Sequence, residues 1–158
     1  MKNKRLSKYP EEIQNWIMVF PNQANPNGNM FGGDLLAIMD TTAAIAAKRF
    51  SQTEVSTVTV EAVHFAEPLW VGNNLKTTAK VVAVGNTSMM VKALVYRDVG
   101  NGELLKCVSA FFNLVAFDEN RKPTQVPNLI IEESNFEENR QAIKIIESAK
   151  QREKDLCD

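Results

Sequence analysis

The sequence has a single histidine, His64, among 158 residues. Any serine or cysteine triad would therefore have to be built on that one side chain. Its two cysteines are far apart: Cys107 lies in an apolar run and Cys157 next to the C-terminus. They make neither a disulfide framework nor a zinc site, so a reducing compartment is the default. No G-x-S-x-G elbow, Walker sequence or G-x-G-x-x-G turn occurs. A formal net charge of −1 supplies no electrostatic footprint for a nucleic-acid or membrane partner. No apolar run is long enough to span a bilayer, and MKNKRLSKYPEE at the N-terminus lacks the apolar core of a signal peptide. A cytoplasmic location is expected.

What is present is one domain's worth of ordinary globular sequence, 44% hydrophobic and 23% charged, enough for one sizeable core. Residues 1–13 are polar and expected to be loosely ordered. Trp16 to Phe20 is a short apolar run ended by Pro21, which suits a strand. After a turn-prone stretch of Asn, Pro and Gly, a helix is predicted to begin near Phe31 to Asp34 and to end in the cations Lys48 and Arg49, which suit a helix C-terminus. Leu35, Leu36, Ile38, Met39 and Ala43 to Ala47 cover most of its circumference, so it should be largely buried. Four strands are predicted next, over Val55–Phe65, Leu75–Val84, Thr87–Arg97 and Leu104–Phe117, separated by Gly- and Asn-rich turns. Residues 124–133 look irregular. Ser134 with Glu137 matches a capping box for a final charged helix from Phe136 to about Lys154, with Ile143, Ile146 and Ala149 as its one apolar stripe. Segregated strands with short connections argue for an antiparallel sheet in an α+β fold, curled around the one apolar helix.

Few residues carry candidate chemistry. His64 sits in a strand expected to place Val58, Val60, Ala62 and His64 on one face, where a lone histidine is more often structural than catalytic. Asp40 stands amid Leu, Ile, Met and Ala, where a carboxylate is costly to bury. It has two plain explanations: Asp40-Thr41-Thr42 caps a second helix after a break, or threonines and backbone satisfy a core carboxylate. Asp34 is an acid in the first helical turn, where the dipole favours it. Gly32 and Gly33 are either flexible or let helix N-terminal N–H groups face a ligand. Asn25 is held extended by Pro26, and its side chain has a turn to cap.

The run from Asn25 to Asp40, with N-x-N-G, F-G-G and L-L-x-x-M-D in that order, resembles the hotdog-fold acyl-CoA thioesterases, specifically their cytosolic acyl-CoA hydrolase branch. The resemblance continues through VTVEAVHFAEPLWVGN and the turn Gly85 to Ser88, and covers roughly residues 10–127. Residues 128–158, the charged helical extension, fall outside it. It implies a hotdog fold, a sheet wrapped around a central helix, and hydrolysis of acyl-CoA to free fatty acid and CoA. The resemblance implies that Asp40 is the essential carboxylate, as general base or as nucleophile. Asn25, from the facing subunit, would position water or substrate. Backbone N–H groups near Gly32 and Gly33 would hold the oxyanion, and burial among apolar side chains would make Asp40 a better base near neutral pH. Asn86, Thr87 and Ser88 match the family's pantetheine-adjacent loop. Glu61 matches a family acid and reads as a supporting or structural residue. For the CoA phosphates, Lys92, Arg97, Arg121 and Lys122 are candidates by charge alone, with Arg121 and Lys122 preferred. No metal or bound cofactor is implied, CoA being part of substrate and product. Family members form homodimers by joining sheets edge to edge, often assembled into hexamers. The alternative is a non-catalytic acyl-CoA-sensing module on the same fold. A hotdog dehydratase would want a histidine near the helix, and His64 is predicted on a strand instead.

Overall fold

The computed structural model describes residues 5–157; residues 1–4 of the polar N-terminal segment and Asp158 lie outside the described residues. In chain order the elements are β1 (Ser7–Lys8), β2 (Ile13–Met18), α1 (Gly32–Ser51), β3 (Glu54–Phe65), β4 (Asn74–Val84), β5 (Ser88–Gly100), β6 (Glu103–Phe117), β7 (Asn128–Leu129) and α2 (Phe136–Cys157). Five strands make one antiparallel sheet in the order β2-β4-β5-β6-β3. The predicted α+β architecture is correct. β3, with twelve residues, lies at one edge of that sheet.

The core lies between α1 and the inner face of the sheet. Leu35, Met39, Ala43, Ala46, Ala47 and Phe50 of the helix meet Ala79, Val81, Val91, Ala93, Phe112 and Leu114 of the strands. The small alanines let the helix approach the sheet closely, while Met39 and Phe112 fill the space between. Truncating such a fully buried side chain as Met39 to Ala costs about 2–5 kcal/mol. The helix is less enclosed than its composition suggests. Ala37, Thr41 and Ile45, spaced four apart along one side, are exposed, so a single chain leaves an apolar helix face open.

Three expectations need correction. The N-terminal segment is not loose where it is described: β1 pairs in parallel with β7, and Arg5 donates to the carbonyls of Val126 and Gly85, each at 2.5 Å. Ser134 is not a helix cap, because it lies inside a 3-10 turn, Glu133–Asn135, that runs directly into α2. In the apolar stripe of α2, Ile146 is placed as expected but Ile143 is not. Ala142 is fully buried and Ile145 and Ile146 pack beside it on Val82, Ala83, Met90 and Phe111, while Ile143 is exposed. α2 therefore closes a second, smaller core on the outer face of the sheet.

Polar ties hold α2 in place. Asn139 donates to the carbonyl of Val82 at 2.8 Å, and Lys80 donates to the Asn135 side chain at 2.7 Å. Glu138 lies between Lys80 at 3.2 Å and Lys92 at 3.3 Å. Burial pushes the Glu138 carboxyl up, but the two ammonium groups more than offset this and hold it below the usual carboxylate range. At the far end of the helix, Arg152 pairs with the Glu61 carboxylate on β3. Among the described residues no helix is long and apolar enough to cross a membrane.

Candidate active site

α1 runs unbroken from Gly32 to Ser51, so Asp40 caps no second helix. Thr41 and Thr42 donate instead to carbonyls one turn back, Ala37 at 2.9 Å and Ile38 at 2.8 Å, and neither serves the carboxylate. Asp40 sits on the flank of the helix between the buried stripe and the open one, half-buried. The side chain that meets it comes from β3: the Thr57 hydroxyl donates to Asp40 Oδ1 at 2.5 Å. A bond this short to a carboxylate is in the strong, charge-assisted range.

The strand is shaped to deliver that hydroxyl. Thr57 pairs with Leu114, whose side chain is in the core, while Thr59 pairs with Asn113, and the register shifts between them. That bulge puts one extra residue into β3 and breaks the alternation of faces. A second shift falls between Glu61 and His64, where Ala62 takes the left-handed backbone with φ 49°. The predicted single face of Val58, Val60, Ala62 and His64 therefore does not exist. His64 is exposed and pairs with Ser109, on the side away from α1 and from Asp40. Glu61 is tied to Arg152, in keeping with a structural part.

Gly32 and Gly33 form the first turn of α1, whose N-cap, Phe31, makes no side-chain capping bond. The N–H groups of this turn have no partner within the helix, and the positive end of the dipole lies there. At Gly33 space is also tight, whereas at Gly32 a side chain would meet its neighbour at ordinary contact distance. A Cβ on Gly33 would stand 2.6 Å from the Phe31 ring, and one on Gly32 would stand 3.4 Å from the Phe65 ring. Two aromatic rings thus lie directly against this turn.

Asn25 caps its turn through its oxygen, which accepts the N–H groups of Asn27 at 3.0 Å and Asn29 at 3.2 Å. That leaves its NH2 group unused by the turn. Asn25 and Gly32 together line a cleft of about 360 Å³ whose floor includes Met30, Leu35 and Leu69 and whose rim includes Phe65. Asp40 does not line it. At 1.5 Å per residue it stands about 12 Å along the helix from Gly32. Within one chain, then, Asn25 and the glycines form one half-site and Asp40 with Thr57 another.

The remaining sites are scattered. The Asn86-Thr87-Ser88 turn joins β4 to β5. Its carbonyls accept from Val126 and Ala116, and Asn86 Oδ1 accepts from Gln125 at 3.0 Å. Arg121 and Lys122 are exposed on a turn organised by Asp118 Oδ1. Arg121 borders a second cleft, about 480 Å³, beside Val55 and Ser56 at the start of β3. Lys92 is not available to a phosphate, being bound to Glu138. Arg97 donates to the Pro68 carbonyl at 3.0 Å. Among the described residues no three His, Cys, Asp or Glu side chains are grouped to hold a metal. The residue that sequence reasoning missed is Thr57.

Residues 27–103 match the thioesterase superfamily. A relative from Zymomonas mobilis, named an uncharacterized acyl-CoA thioester hydrolase, is 38% identical over 70% of this chain and 75% of its own length. Among solved structures, an acyl-CoA hydrolase from Staphylococcus aureus, in complex with butyryl coenzyme A, coenzyme A and coenzyme A disulfide, is 28% identical. It covers 94% of this chain and 93% of that one, with a TM-score of 0.89. Variants of the same hydrolase carry alanine for an asparagine, an aspartate and a threonine, spaced along that chain as Asn25, Asp40 and Thr57 are spaced here. A hexameric acyl-CoA thioesterase is 30% identical, covering 93% of this chain and 97% of that one with a TM-score of 0.87.

Proposed function

The chain belongs to the thioesterase superfamily, among the acyl-CoA thioester hydrolases, and from that premise we propose that it cleaves acyl-CoA with Asp40 as the essential carboxylate and Thr57 as its anchor. The observation that carries this reading is the 2.5 Å bond from Thr57 to Asp40 Oδ1. It fixes one carboxylate oxygen and leaves the other to act on water or on the thioester carbonyl. A thioester is already electrophilic and its thiolate leaves readily, so a positioned carboxylate and an oxyanion site are sufficient machinery. The free N–H groups at Gly32 and Gly33 supply that site, where one donor is worth about 2.7–4 kcal/mol of barrier.

The two half-sites lie about two helical turns apart in one chain, and they meet when two chains pair with their α1 helices antiparallel. Asn25 and the glycines of one subunit then face Asp40 and Thr57 of the other. The exposed edge of β3 favours this pairing: Val58 is 58% and Phe65 51% exposed in the single chain. An apolar, unpaired edge strand is a liability that a second copy removes. The assembly is a homodimer, built further into a hexamer as in the hexameric relative. The cleft beside Asn25 takes the acyl chain, and the Asn86-Thr87-Ser88 turn with Arg121 and Lys122 takes part in holding CoA. Residues 10–127 are the thioesterase unit and 128–158 an extension packed onto it. Acyl-CoA is substrate, and no resident cofactor is needed.

The test is release of free CoA, followed with a thiol reagent, over short, medium and long acyl-CoAs, for the protein and for Asp40→Asn. Turnover should fall about 100-fold or more in the variant. Full activity in a folded Asp40→Asn protein removes the carboxylate from the mechanism. Inactivity of the unmodified protein over the whole panel, with binding intact, points to a sensing module instead.

A further inference from the structure

α2 crosses the outer face of the sheet along one row of side chains. Lys80 pairs with Lys92, Lys92 with Phe111 and Phe111 with Glu61, a line across β4, β5, β6 and β3. The helix follows it. Glu138 sits on Lys80 and Lys92, Ala142 packs in the cluster with Phe111, and Arg152 pairs with Glu61. β3 is the edge of the sheet, yet α2 does not stop there. It runs on to Cys157.

The lengths measure the overhang. From β4 to β3 is three strand spacings, about 14 Å, whereas the helix rises about 28 Å from Glu138 to Cys157. Side chains on a helix lean toward its N-terminus. An arginine that meets Glu61 therefore starts from backbone already at or beyond the edge strand. The last turn, past Arg152, adds about 7 Å, more than one strand spacing, with no strand of its own chain beneath it.

That turn carries an apolar group on the side that faces the sheet. Ala142, Ile145 and Ile146 pack downward, and Ala149, Arg152 and Leu156 continue the same stripe at helical spacing. Leu156 is 87% exposed, more than any other large apolar side chain among the described residues. Gln151 and Asp155 bond to each other at 2.8 Å, so neither reaches under the helix end.

In the dimer read above, β3 joins β3 of a second copy, so the strand that follows the edge is the partner's. Resting on that reading, we infer that the last turn of α2 crosses the seam and packs Leu156 on the outer face of the partner's β3. By two-fold symmetry each subunit gives one such contact and receives one. These two ties lie on the face of the sheet away from Asp40 and Thr57. The 128–158 extension thereby holds together the two chains whose half-sites make one site.

Cys157 at the helix tip is exposed and Cys107 is buried, so the tip takes a benzophenone maleimide with no new substitution. Isotope-labelled and unlabelled chains are allowed to exchange subunits and are then irradiated. The adducts should join the tip of one chain to β3 of the other, and adducts confined to one chain overturn the proposal. Leu156→Lys removes two contacts per dimer and should speed subunit exchange, followed with differently tagged chains, about 100-fold or more. Leu156→Met keeps the apolar contact and should keep the slow exchange. Ile143→Lys, the control, makes a like change at an exposed α2 residue short of the edge. Equal effects of Leu156→Lys and Ile143→Lys overturn the proposal. A protein that stays monomeric overturns it together with the edge pairing, while CoA release, measured separately, still decides the thioesterase reading.

Discussion

Thr57→Val tests the site where it is most exactly built. Valine has the shape of threonine and keeps its strand preference, so the substitution removes one hydroxyl and little else. That hydroxyl is the donor to Asp40 Oδ1 at 2.5 Å. A hydrogen bond to a charged group contributes about 1.5–3 kcal/mol, and a tenfold change in rate corresponds to about 1.4 kcal/mol. If the bond serves to aim the carboxylate in the transition state, kcat should fall by roughly 10- to 100-fold with KM nearly unchanged. Stability should move far less. Asp40 is half-exposed in the single chain, so water replaces the lost donor, and the new methyl adds apolar contact. A change of about 1 kcal/mol or less, a few degrees in Tm, is the expectation. Thr57→Ser restores the hydroxyl and should restore most of the rate, which a purely packing role would not do. The double variant Thr57→Val with Asp40→Asn should be no worse than Asp40→Asn alone, because the two residues act as a unit. Full kcat in a well-folded Thr57→Val protein refutes the anchoring role. A loss that Thr57→Ser does not recover would refute it as well.

Two further outcomes follow from neighbouring features. Gly33→Ala places a methyl 2.6 Å from the Phe31 ring. The exposed ring must swing away from the helix N-terminus, so acyl-CoA turnover should drop about tenfold or more while circular dichroism keeps its helical signal. Glu138, whose folded carboxyl is held below its ordinary value of 4.5, stabilises the fold above that value and loses its contribution as the pH falls through its lowered one. A Glu138→Gln protein should accordingly be less stable than its parent at pH 7 and lose less stability as the pH falls below 4.5. Equal acid sensitivity of the two would separate Glu138 from the docking of α2.

Much of this was legible one-dimensionally because local chemistry and global fold agree. Gly85-Asn86 and Gly100-Asn101-Gly102 do fall at strand ends, and the cations Lys48 and Arg49 do lie in the last turn of α1. The carboxylate was visible for the opposite reason, because Asp40 contradicts its apolar surroundings. Its partner was not. Thr57 is 17 residues away, in a strand full of Val and Thr where a threonine means only β-propensity. The bulge between Thr57 and Thr59 that aims it carries no glycine to announce it, and at the second shift along the strand the left-handed position is occupied by Ala62. Lys92 looked available for a phosphate because its partner, Glu138, lies 46 residues further on. Long-range pairing of this kind leaves no trace in spacing. The stripe on α2 was misjudged for a related reason. Ile143 attracts attention by its size, but Ala142 is the residue that lets the helix backbone come down onto Phe111 and Val82.

The proposed composite site gives the sharpest remaining prediction. Asn25 lines the cleft at the helix N-terminus and Asp40 stands about 12 Å along the helix, too far for one substrate carbonyl to touch both within a chain. In the proposed dimer the same two residues would face each other across the two-fold axis, and each dimer would have two such sites. Two inactive proteins, Asn25→Ala and Asp40→Asn, should then repair one another when their subunits exchange. In a mixed dimer one site has both defects and the other has neither. With equal amounts and complete exchange, half the dimers are mixed, so about a quarter of all sites are whole and activity should recover to about a quarter of the unmodified level. The exchange itself is followed with differently tagged chains, so that mixed dimers are counted separately from activity. If Asn25 and Asp40 acted within one chain, every site in every dimer would carry one defect, and no mixture could exceed its parents. Mixed dimers without recovered activity would therefore refute the cross-subunit arrangement and leave the hydrolysis of acyl-CoA to be explained by each chain alone.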